Sequence, residues 1–248
     1  MITTFGTIKS NSKISATALT MLAVQMFAPA HAELQGDEEA IALANEMITA
    51  MGGHEIWASA HWMYAEERSY SGRQKLGLDY KGWRDFRTPQ GKHHVESPEV
   101  SYKQSWTTKG GWRVLDGEYQ EFDAERLAAE VNFWPREIYT MYHRFAAGDE
   151  TLRLTHIEGR KFTVEDAQSA APLGSFTVSL EGGPVIWSSG DTDDDVTYVY
   201  GPLKSFGPIK MPAWGGQTSG GWRFNYVDAK LFHEAPPADL FTSSRPEE

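Results

Sequence analysis

Tyr139, His143 and Arg144 combine the residue types and the spacing that acid–base chemistry requires. Tyr139 and His143 are four residues apart, so on a helix they share one face and could bring a phenol and an imidazole to one ligand. Arg144 is adjacent and could bind a carboxylate or a developing oxyanion. The alternative is structural: the helix packs its rings on a sheet, and His143 and Arg144 bond to backbone or acidic groups.

His61 is a fourth candidate for proton transfer. If the strand predicted at 59–70 turns its odd-numbered residues toward a chamber, His61 points inward with Met63, whereas Trp62 takes the opposite face. A core histidine with satisfied hydrogen bonds is the competing interpretation of His61.

Linear motifs of the common enzyme classes are absent from the sequence: it has no nucleophile elbow, phosphate-binding loop, HExxH motif or dinucleotide-binding glycine pattern. His93 and His94 are adjacent and point to opposite sides of a strand, so they are not expected to share a metal. Residues 191–195 are similar to the start of a calcium loop. However, Val196 and Pro202 occupy the positions that an EF-hand gives to glycine and glutamate. We therefore expect neither a metal site nor a cofactor.

Two helical regions would position these side chains. Residues 37–51 carry apolar residues at helical spacing after an acidic first turn, and Gly52 follows as a stop. A second apolar stripe runs through 123–147, where Pro135 divides it and Gly148 ends it. Because proline is tolerated only in a first helical turn, this region predicts two short helices or one kinked helix.

The remaining segments alternate with a period of two and are rich in Trp, Tyr, Val and Thr. Strands are predicted at 59–70, 77–87, 92–96, 99–108, 111–121, 151–157, 160–166, 174–181, 184–189, 195–204 and 220–232. In the last strand, Trp222, Phe224, Tyr226 and Asp228 would form one aromatic face. This order predicts an α+β, mainly antiparallel fold: a single large curved sheet or unclosed β-barrel with helices on the concave side.

The N-terminus has the pattern of a secretory signal peptide over residues 1–32. Lys9 and Lys13 precede an apolar run, and Ala30-His31-Ala32 supplies small residues for cleavage. We expect residues 33–248 to form a single domain that is periplasmic or secreted. The chain has no cysteine, which excludes disulfides and a lipid anchor, so the protein should be soluble and not membrane-integral.

The net charge excludes polyanionic partners. Without the two signal-peptide lysines, 21 basic residues face 34 acidic ones, giving −13. Nucleic acid and anionic lipid surfaces need a basic field, so we expect neither as a partner.

Three segments resemble the periplasmic lipoprotein-carrier superfamily, which includes the LolA/LolB-like proteins and their outer-membrane lipoprotein-sorting relatives. They are the opening helix and glycine pair (44–53), the Tyr-Val-Tyr-Gly-Pro segment and its continuation (198–212), and the closing run with its P-x-x-x-F ending (227–241). The resemblance implies an unclosed half-barrel, lidded by helices, whose concave face forms an apolar chamber for lipid, a lipoprotein acyl chain or other hydrophobic cargo.

The candidate chamber lining departs from that pattern because rings replace aliphatic side chains. Rings with polar edges suit a flat or polar-edged ligand better than an acyl chain. The candidate ligand-binding residues are Trp57, Trp62, Trp106, Trp134, Tyr142, Trp214, Trp222 and Tyr226. Trp214 is expected on a loop, where it would either close over the chamber mouth or pack at an edge.

Three functions from different classes fit these observations. The first is a soluble, monomeric periplasmic protein that binds a hydrophobic or aromatic small molecule in a ring-lined chamber. The second is a cofactor-free lyase or hydrolase that acts on a carbohydrate or a plant-derived aromatic, with Tyr139 or His143 transferring a proton. The third is an envelope assembly factor that binds another protein through a sheet edge or lid.

Overall fold

The computed structural model describes residues 34–72, 75–190, 196–234 and 236. The predicted signal peptide and the segment 191–195 lie outside the described residues.

Four α-helices and one 3₁₀ turn form in the described residues. The helices are α1 (Glu38–Ala50), α2 (His54–Ser59), α3 (Ala124–Phe133) and α4 (Ile138–Ala147), and the turn is Trp134–Arg136. The prediction for 37–51 is confirmed. The division of 123–147 is confirmed too, because Pro135 falls in the turn between α3 and α4, and Gly148 ends α4 in the left-handed conformation.

The strands form one large open sheet and one small hairpin. Their bounds are β1 (Gln35–Gly36), β2 (Trp62–Ser71), β3 (Leu76–Asp85), β4 (Gly91–Glu96), β5 (Ser101–Thr107), β6 (Gly110–Leu115), β7 (Glu118–Glu121), β8 (Leu152–Glu158), β9 (Lys161–Asp166), β10 (Pro172–Val178), β11 (Pro184–Ser188), β12 (Thr197–Tyr200), β13 (Leu203–Phe206), β14 (Ile209–Pro212), β15 (Trp214–Gln217) and β16 (Trp222–Phe232). The large sheet has the order β1-β8-β9-β10-β11-β12-β15-β16-β2-β3-β4-β5-β6-β7, and β13 pairs with β14. Among the strand pairs of the described residues only β1–β8 is parallel, and β1 and β7 lie at opposite edges. The predicted α+β fold with an unclosed, mainly antiparallel sheet is confirmed.

The helices cover one face of this sheet, which we call the inner face. On β2 the odd-numbered Met63 and Ala65 are buried in the same core as Ala44 and Met47 of α1. Since side chains alternate along a strand, Glu67 and Ser69 also lie on the inner face, and even-numbered residues lie on the outer face. The odd-inward register, one of the two alternatives considered for this strand, is therefore the one observed from Met63 to Ser69.

The part of the inner face under α1 and α4 is an apolar core. Phe145 of α4 packs edge-on against Phe162 and Phe176, which stack on each other with ring centroids 5.4 Å apart. These rings and their aliphatic neighbours remove large apolar surfaces from water and hold both helices on the sheet.

The structure differs from the predictions at several points: the strands predicted at 111–121 and 195–204 are each divided in two, as β6 and β7 and as β12 and β13. Trp214 was expected on a loop but lies at the start of β15. The expectation arose because no strand was predicted between 205 and 219. Asp228 leaves the aromatic face, because the β16–β2 register shifts between Tyr226 and Asp228 and reverses the alternation beyond that point. The helix α2 was not predicted, since its six residues are too few to show a helical period.

No helix in the described residues is long and apolar enough to cross a membrane.

Candidate ligand-binding site

A chamber of about 170 Å³ lies between the inner face of the sheet and the segment that links α3 to α4. Its walls come from β2, β3, β11, β12 and β16 on one side and from residues 133–139 on the other. Most of the lining side chains are aromatic, and three carry a formal charge; they are Glu67, Tyr80, Arg84, Phe133, Glu137, Ile138, Tyr139, Trp187, Tyr198, Tyr200, Trp222 and Phe224.

The strand register brings the polar groups of the chamber together. Glu67 on β2 lies opposite Tyr80 on β3 and opposite Tyr226 on β16. Arg84, four residues after Tyr80, has the same orientation on β3. Residues that are far apart in the sequence thus meet because three strands are adjacent in the sheet.

Arg84 is the cation of the chamber, and its side chain is 15% exposed. Its Nε forms an ion pair with Glu137, which precedes α4. Its Nη2 donates a hydrogen bond of 3.0 Å to the Tyr80 hydroxyl, and its guanidinium lies 4.9 Å from the centre of the Tyr139 ring. The ion pair therefore joins the sheet to the helical segment across the chamber.

Gly82 makes room for this arrangement. A Cβ at position 82 would lie 2.6 Å from the Tyr80 hydroxyl oxygen and 3.0 Å from Nη1 of Arg84. The absence of a side chain lets both groups fold back over the strand between them.

Glu67 is a chamber acid with a strongly perturbed pKa. Its side chain is 5% exposed and accepts a hydrogen bond of 3.3 Å from the Ser69 hydroxyl. Burial raises the pKa of Glu67 from 4.5 to about 7, although the positive charge of Arg84 opposes this effect. A carboxyl group that exchanges its proton near neutral pH inside a cavity is a typical feature of a functional site.

A second polar network continues from the chamber toward α3. The His93 ring lies 5.1 Å from the Tyr80 ring, and Gln104 Nε2 is 3.3 Å from Nδ1 of His93. Gln104 also bonds to Arg126 and Glu130 of α3, which form an ion pair of 2.7 Å with each other. Burial keeps the pKa of His93 well below its usual value, so this imidazole is neutral at pH 7.

The candidate catalytic residues of α4 do not converge on the chamber. Tyr139 lines it, and its hydroxyl is hydrogen-bonded to the hydroxyl of Tyr226. The Nδ1 of His143 donates a hydrogen bond of 2.8 Å to the carbonyl oxygen of Trp57, and its ring stacks on Phe86 at 5.1 Å. Burial lowers the pKa of His143, which fits its position between α2 and α4.

Arg144 and His61 lie elsewhere. Arg144 forms an ion pair of 2.7 Å with Asp149 and donates to the Thr151 hydroxyl, so it ties the end of α4 to the start of β8. The backbone of His61 bonds to Phe232 and Phe86. Burial and, to a smaller degree, the positive charge of Arg87 lower the pKa of His61.

Two of the eight predicted ligand-binding rings lie at the chamber. Trp222 lines it, and the buried Tyr226 supports Tyr139 beside it. Both belong to the inward-facing positions of β16 before its register shift.

Four other predicted rings pack elsewhere in the fold, three of them buried and Trp134 half-buried. Trp57 and Tyr142 are almost completely buried and contact each other edge-on at 5.5 Å. The indole of Trp134 donates a hydrogen bond of 2.7 Å to the Asp85 carbonyl oxygen. Trp106 is also buried and contacts the His93 ring at 4.9 Å. Their roles in the fold are visible, but none of the four lines the chamber.

The last two predicted rings have the outer orientation. Trp62 alternates with the inward-facing Met63, and Trp214 pairs with the exposed Asn225. Trp214 is 42% exposed and lines a separate groove.

Sequence reasoning missed Glu67, Tyr80, Arg84 and Glu137. A signal for Glu67 was present, because the odd-inward register assigned to Met63 also places residue 67 on the inner face. Arg84 and Tyr80 then follow only from the pairing of β2 with β3, which the sequence does not specify.

The described ranges contain no group of three or more acids or histidines that could hold a metal ion. The charged groups of the chamber are instead the Arg84–Glu137 ion pair and the Glu67 carboxyl, which bonds to Ser69. This arrangement can bind a polar edge of a ligand and exchange a proton with it.

Comparisons with known proteins give structural neighbours only. No protein-family model matches the chain, and no curated protein matches it. Similar solved structures include a protein described as an outer membrane lipoprotein-sorting protein domain, from Vibrio parahaemolyticus. It has 10% sequence identity and a TM-score of 0.38, and the match covers 82% of this chain and 96% of that one.

Two further neighbours show the same level of similarity. A LolA superfamily protein from Nitrosomonas europaea has 12% identity and a TM-score of 0.39, with 82% of this chain and 97% of that one covered. A DUF1329 family protein from Desulfovibrio piger has 6% identity and a TM-score of 0.40, with 83% and 100% covered. The first two neighbours carry the description of the superfamily that residues 44–53, 198–212 and 227–241 resemble.

Proposed function

We propose that this protein is a soluble, monomeric periplasmic binding protein that holds a small ligand in the chamber beneath α3 and α4. The ligand has a flat apolar body and one polar edge. The observation that carries the proposal is the combination of aromatic walls with a buried Arg84–Glu137 pair and the protonatable Glu67. The export signal predicted at residues 1–32 supports the location.

The size of the chamber favours one ring over a long chain. A cavity of about 150 Å³ accommodates a benzene molecule, whereas pockets for drug-sized ligands measure about 300–1,000 Å³. The 170 Å³ found here matches the smaller figure. Lipid or an acyl chain, the cargo implied by the sequence resemblance, would require the α3 segment to move away from the sheet.

The polarity of the walls supports the same ligand class. Rings such as Trp187, Tyr198 and Trp222 offer stacking surfaces, and Tyr80 and Glu67 offer hydrogen-bonding groups at one end. An acyl chain offers these groups no hydrogen bond beyond those from Arg84 and Ser69, whereas a polar ligand edge would add one.

Native mass spectrometry of residues 33–248, with ligand-observed NMR, tests the proposal. Phenol and benzoate are the single-ring probes, and palmitate is the acyl-chain probe. We expect a single-ring probe to bind, and Trp222→Ala to weaken binding about tenfold through the loss of a stacking ring. Trp214→Ala is the matched control, because that tryptophan lies on the opposite face of the sheet.

The other outcomes are distinct. Binding of palmitate but of neither ring would refute the ring-sized ligand and favour the acyl-chain carrier. A co-purified or added compound that returns with a changed mass would favour the lyase or hydrolase. Equal binding by the Trp222→Ala variant and the wild type would show that the ligand lies outside this chamber.

A further inference from the structure

A second concave surface lies on the outer face of the sheet, where β15, β16 and β2 are adjacent. It is an open groove of about 490 Å³. Trp214, Asn225 and Arg68 form one row across the three strands, and Arg223 and Tyr70 form the next row. The groove is therefore built from the alternate residues of the strands whose other residues face the inside of the protein.

Glycines keep the groove open and fix its tryptophan. Gly216 lies opposite Arg223 on one side of the second row, and Gly77 lies opposite Tyr70 on the other. A Cβ at Gly77 would meet nothing within 4 Å, so this end of the row is open. At Gly201 a Cβ would collide with the Trp214 indole, so the ring occupies the space of an absent side chain and remains 42% exposed.

Two arginines in the groove form no ion pair with another described residue. Among the residues that the structure describes, neither Arg68 nor Arg223 forms an ion pair, and both are exposed. Arg223 lies over the Tyr70 ring at 4.5 Å, which holds its guanidinium beside the groove floor. The two cations occupy diagonal positions on neighbouring strands, where like charges repel each other. An anion between them would relieve that repulsion and accept hydrogen bonds from both.

We propose that this groove binds an acidic saccharide. The apolar face of the sugar ring packs on the Trp214 indole, the sugar carboxylate binds Arg68 and Arg223, and the Asn225 amide bonds to hydroxyl groups. This site is separate from the chamber, and its proposal does not depend on the function proposed there.

The surrounding charges favour a small acidic ligand over an anionic membrane. Asp79 lies opposite Arg68 in the β2–β3 register, and Glu66 and Asp228 are paired further along the same outer face. The chain as a whole carries a net charge of −11. An extended anionic surface would approach these carboxylates together with the arginines, whereas one sugar acid contacts only the positive end of the groove.

Isothermal titration calorimetry with digalacturonic acid, and with neutral galactobiose as the paired probe, tests this proposal. We expect the acid to bind and the neutral disaccharide to bind at least about tenfold more weakly, since charge-assisted hydrogen bonds are the stronger ones. Arg223→Gln and Trp214→Ala should each weaken binding of the acid about tenfold. Arg153→Gln is the matched control, because Arg153 is a half-exposed arginine on β8.

Two further variants control for misfolding and for binding in the chamber. Arg68→Gln provides a second charge removal if Arg223→Gln does not fold as judged by circular dichroism. Trp222→Ala, which alters the chamber, should leave binding of the acid unchanged.

Several results would overturn the proposal. These are the absence of binding up to about 10 mM of the acid, equal affinity for both disaccharides, and equal affinity of Arg223→Gln and wild type. Loss of binding only in Trp222→Ala would place the sugar in the chamber. Binding of phosphatidylglycerol vesicles that depends on Arg68 and Arg223, without binding of the sugar acid, would identify a lipid surface as the partner instead.

Discussion

Replacing Glu67 with glutamine should stabilise the protein, and the gain should grow as the pH rises. Burial raises the pKa of this carboxyl from 4.5 to about 7. At about 1.4 kcal/mol for each pH unit, the difference corresponds to about 3 kcal/mol. Glutamine has nearly the same shape, carries no charge and can still accept the hydrogen bond from the Ser69 hydroxyl.

The sign of the effect follows from proton uptake. Between about pH 4.5 and pH 7 the folded protein keeps the Glu67 proton that the unfolded chain has released. The free energy of unfolding therefore falls as the pH rises through this range and becomes level above about pH 7. A neutral glutamine does not take part in this loss, so the stability difference between the two proteins should be about 1 kcal/mol at pH 5 and about 3 kcal/mol at pH 8.

Urea unfolding at several pH values measures this difference. The variant Glu118→Gln is the matched control, because Glu118 is an exposed acid on β7. An NMR titration of the Glu67 carboxyl gives an independent value for its pKa. If Glu67→Gln were less stable than the wild type at pH 8, the carboxylate would be charged and stabilised by Arg84, and the reasoning would be refuted.

Three substitutions test other parts of the site and fold by urea unfolding. Gly82→Ala should lower the free energy of unfolding by about 1–3 kcal/mol, because its Cβ would collide with the Tyr80 hydroxyl and Arg84; an unchanged value would show that both side chains have room to move. Gly148→Ala should cost about 1 kcal/mol, since Gly148 has a φ of 68° at the end of α4, and no loss would contradict the left-handed cap. Tyr142→Phe should be neutral or stabilising by about 1 kcal/mol, because in the described structure this buried hydroxyl has no hydrogen-bond partner; a clear loss would reveal one.

Long periodic segments were predictable from the sequence. The helix at 37–51 and the strand at 220–232 contain enough residues for their periods to be unambiguous, and Pro135 and Gly148 mark boundaries by their own backbone restrictions. The strands β13, β14 and β15 have four residues each, which is too short to show an alternation; Gly207 and Pro208 separate the first two, and Ala213 separates the last two. The register shift after Tyr226 was equally invisible, because a bulge leaves no fixed residue pattern.

The candidate site was predictable only in part. Tyr139 and Trp222 were named from the sequence and do line the chamber. Glu67 and Arg84 were not, because a charged residue in a strand is assigned to the solvent side unless the pairing of its neighbours is known. His143 shares a helix with Tyr139, yet its partner is a backbone carbonyl that only the tertiary fold brings within reach.

The two halves of the inner face differ in the residues that they bury. Under α1 and α4 the sheet carries an apolar core, and core packing is the main source of stability in a folded protein. Under α3 the sheet carries buried charged and polar groups, and α3 itself has no fully buried residue. Its contacts with Gln104 pass through Arg126 and Glu130.

Buried charges are a poor way to stabilise a fold, because apolar residues of the same volume often do so better. The function proposed above would account for their position beside an aromatic cavity, because they would bind the polar edge of the ligand. The weak apolar attachment of α3 fits the same explanation. A segment held by hydrogen bonds can leave the sheet at a smaller free-energy cost than a segment held by apolar core contacts. The polar half of the inner face is thus less stable than an apolar core would be, and it is the half in which the proposed ligand would bind.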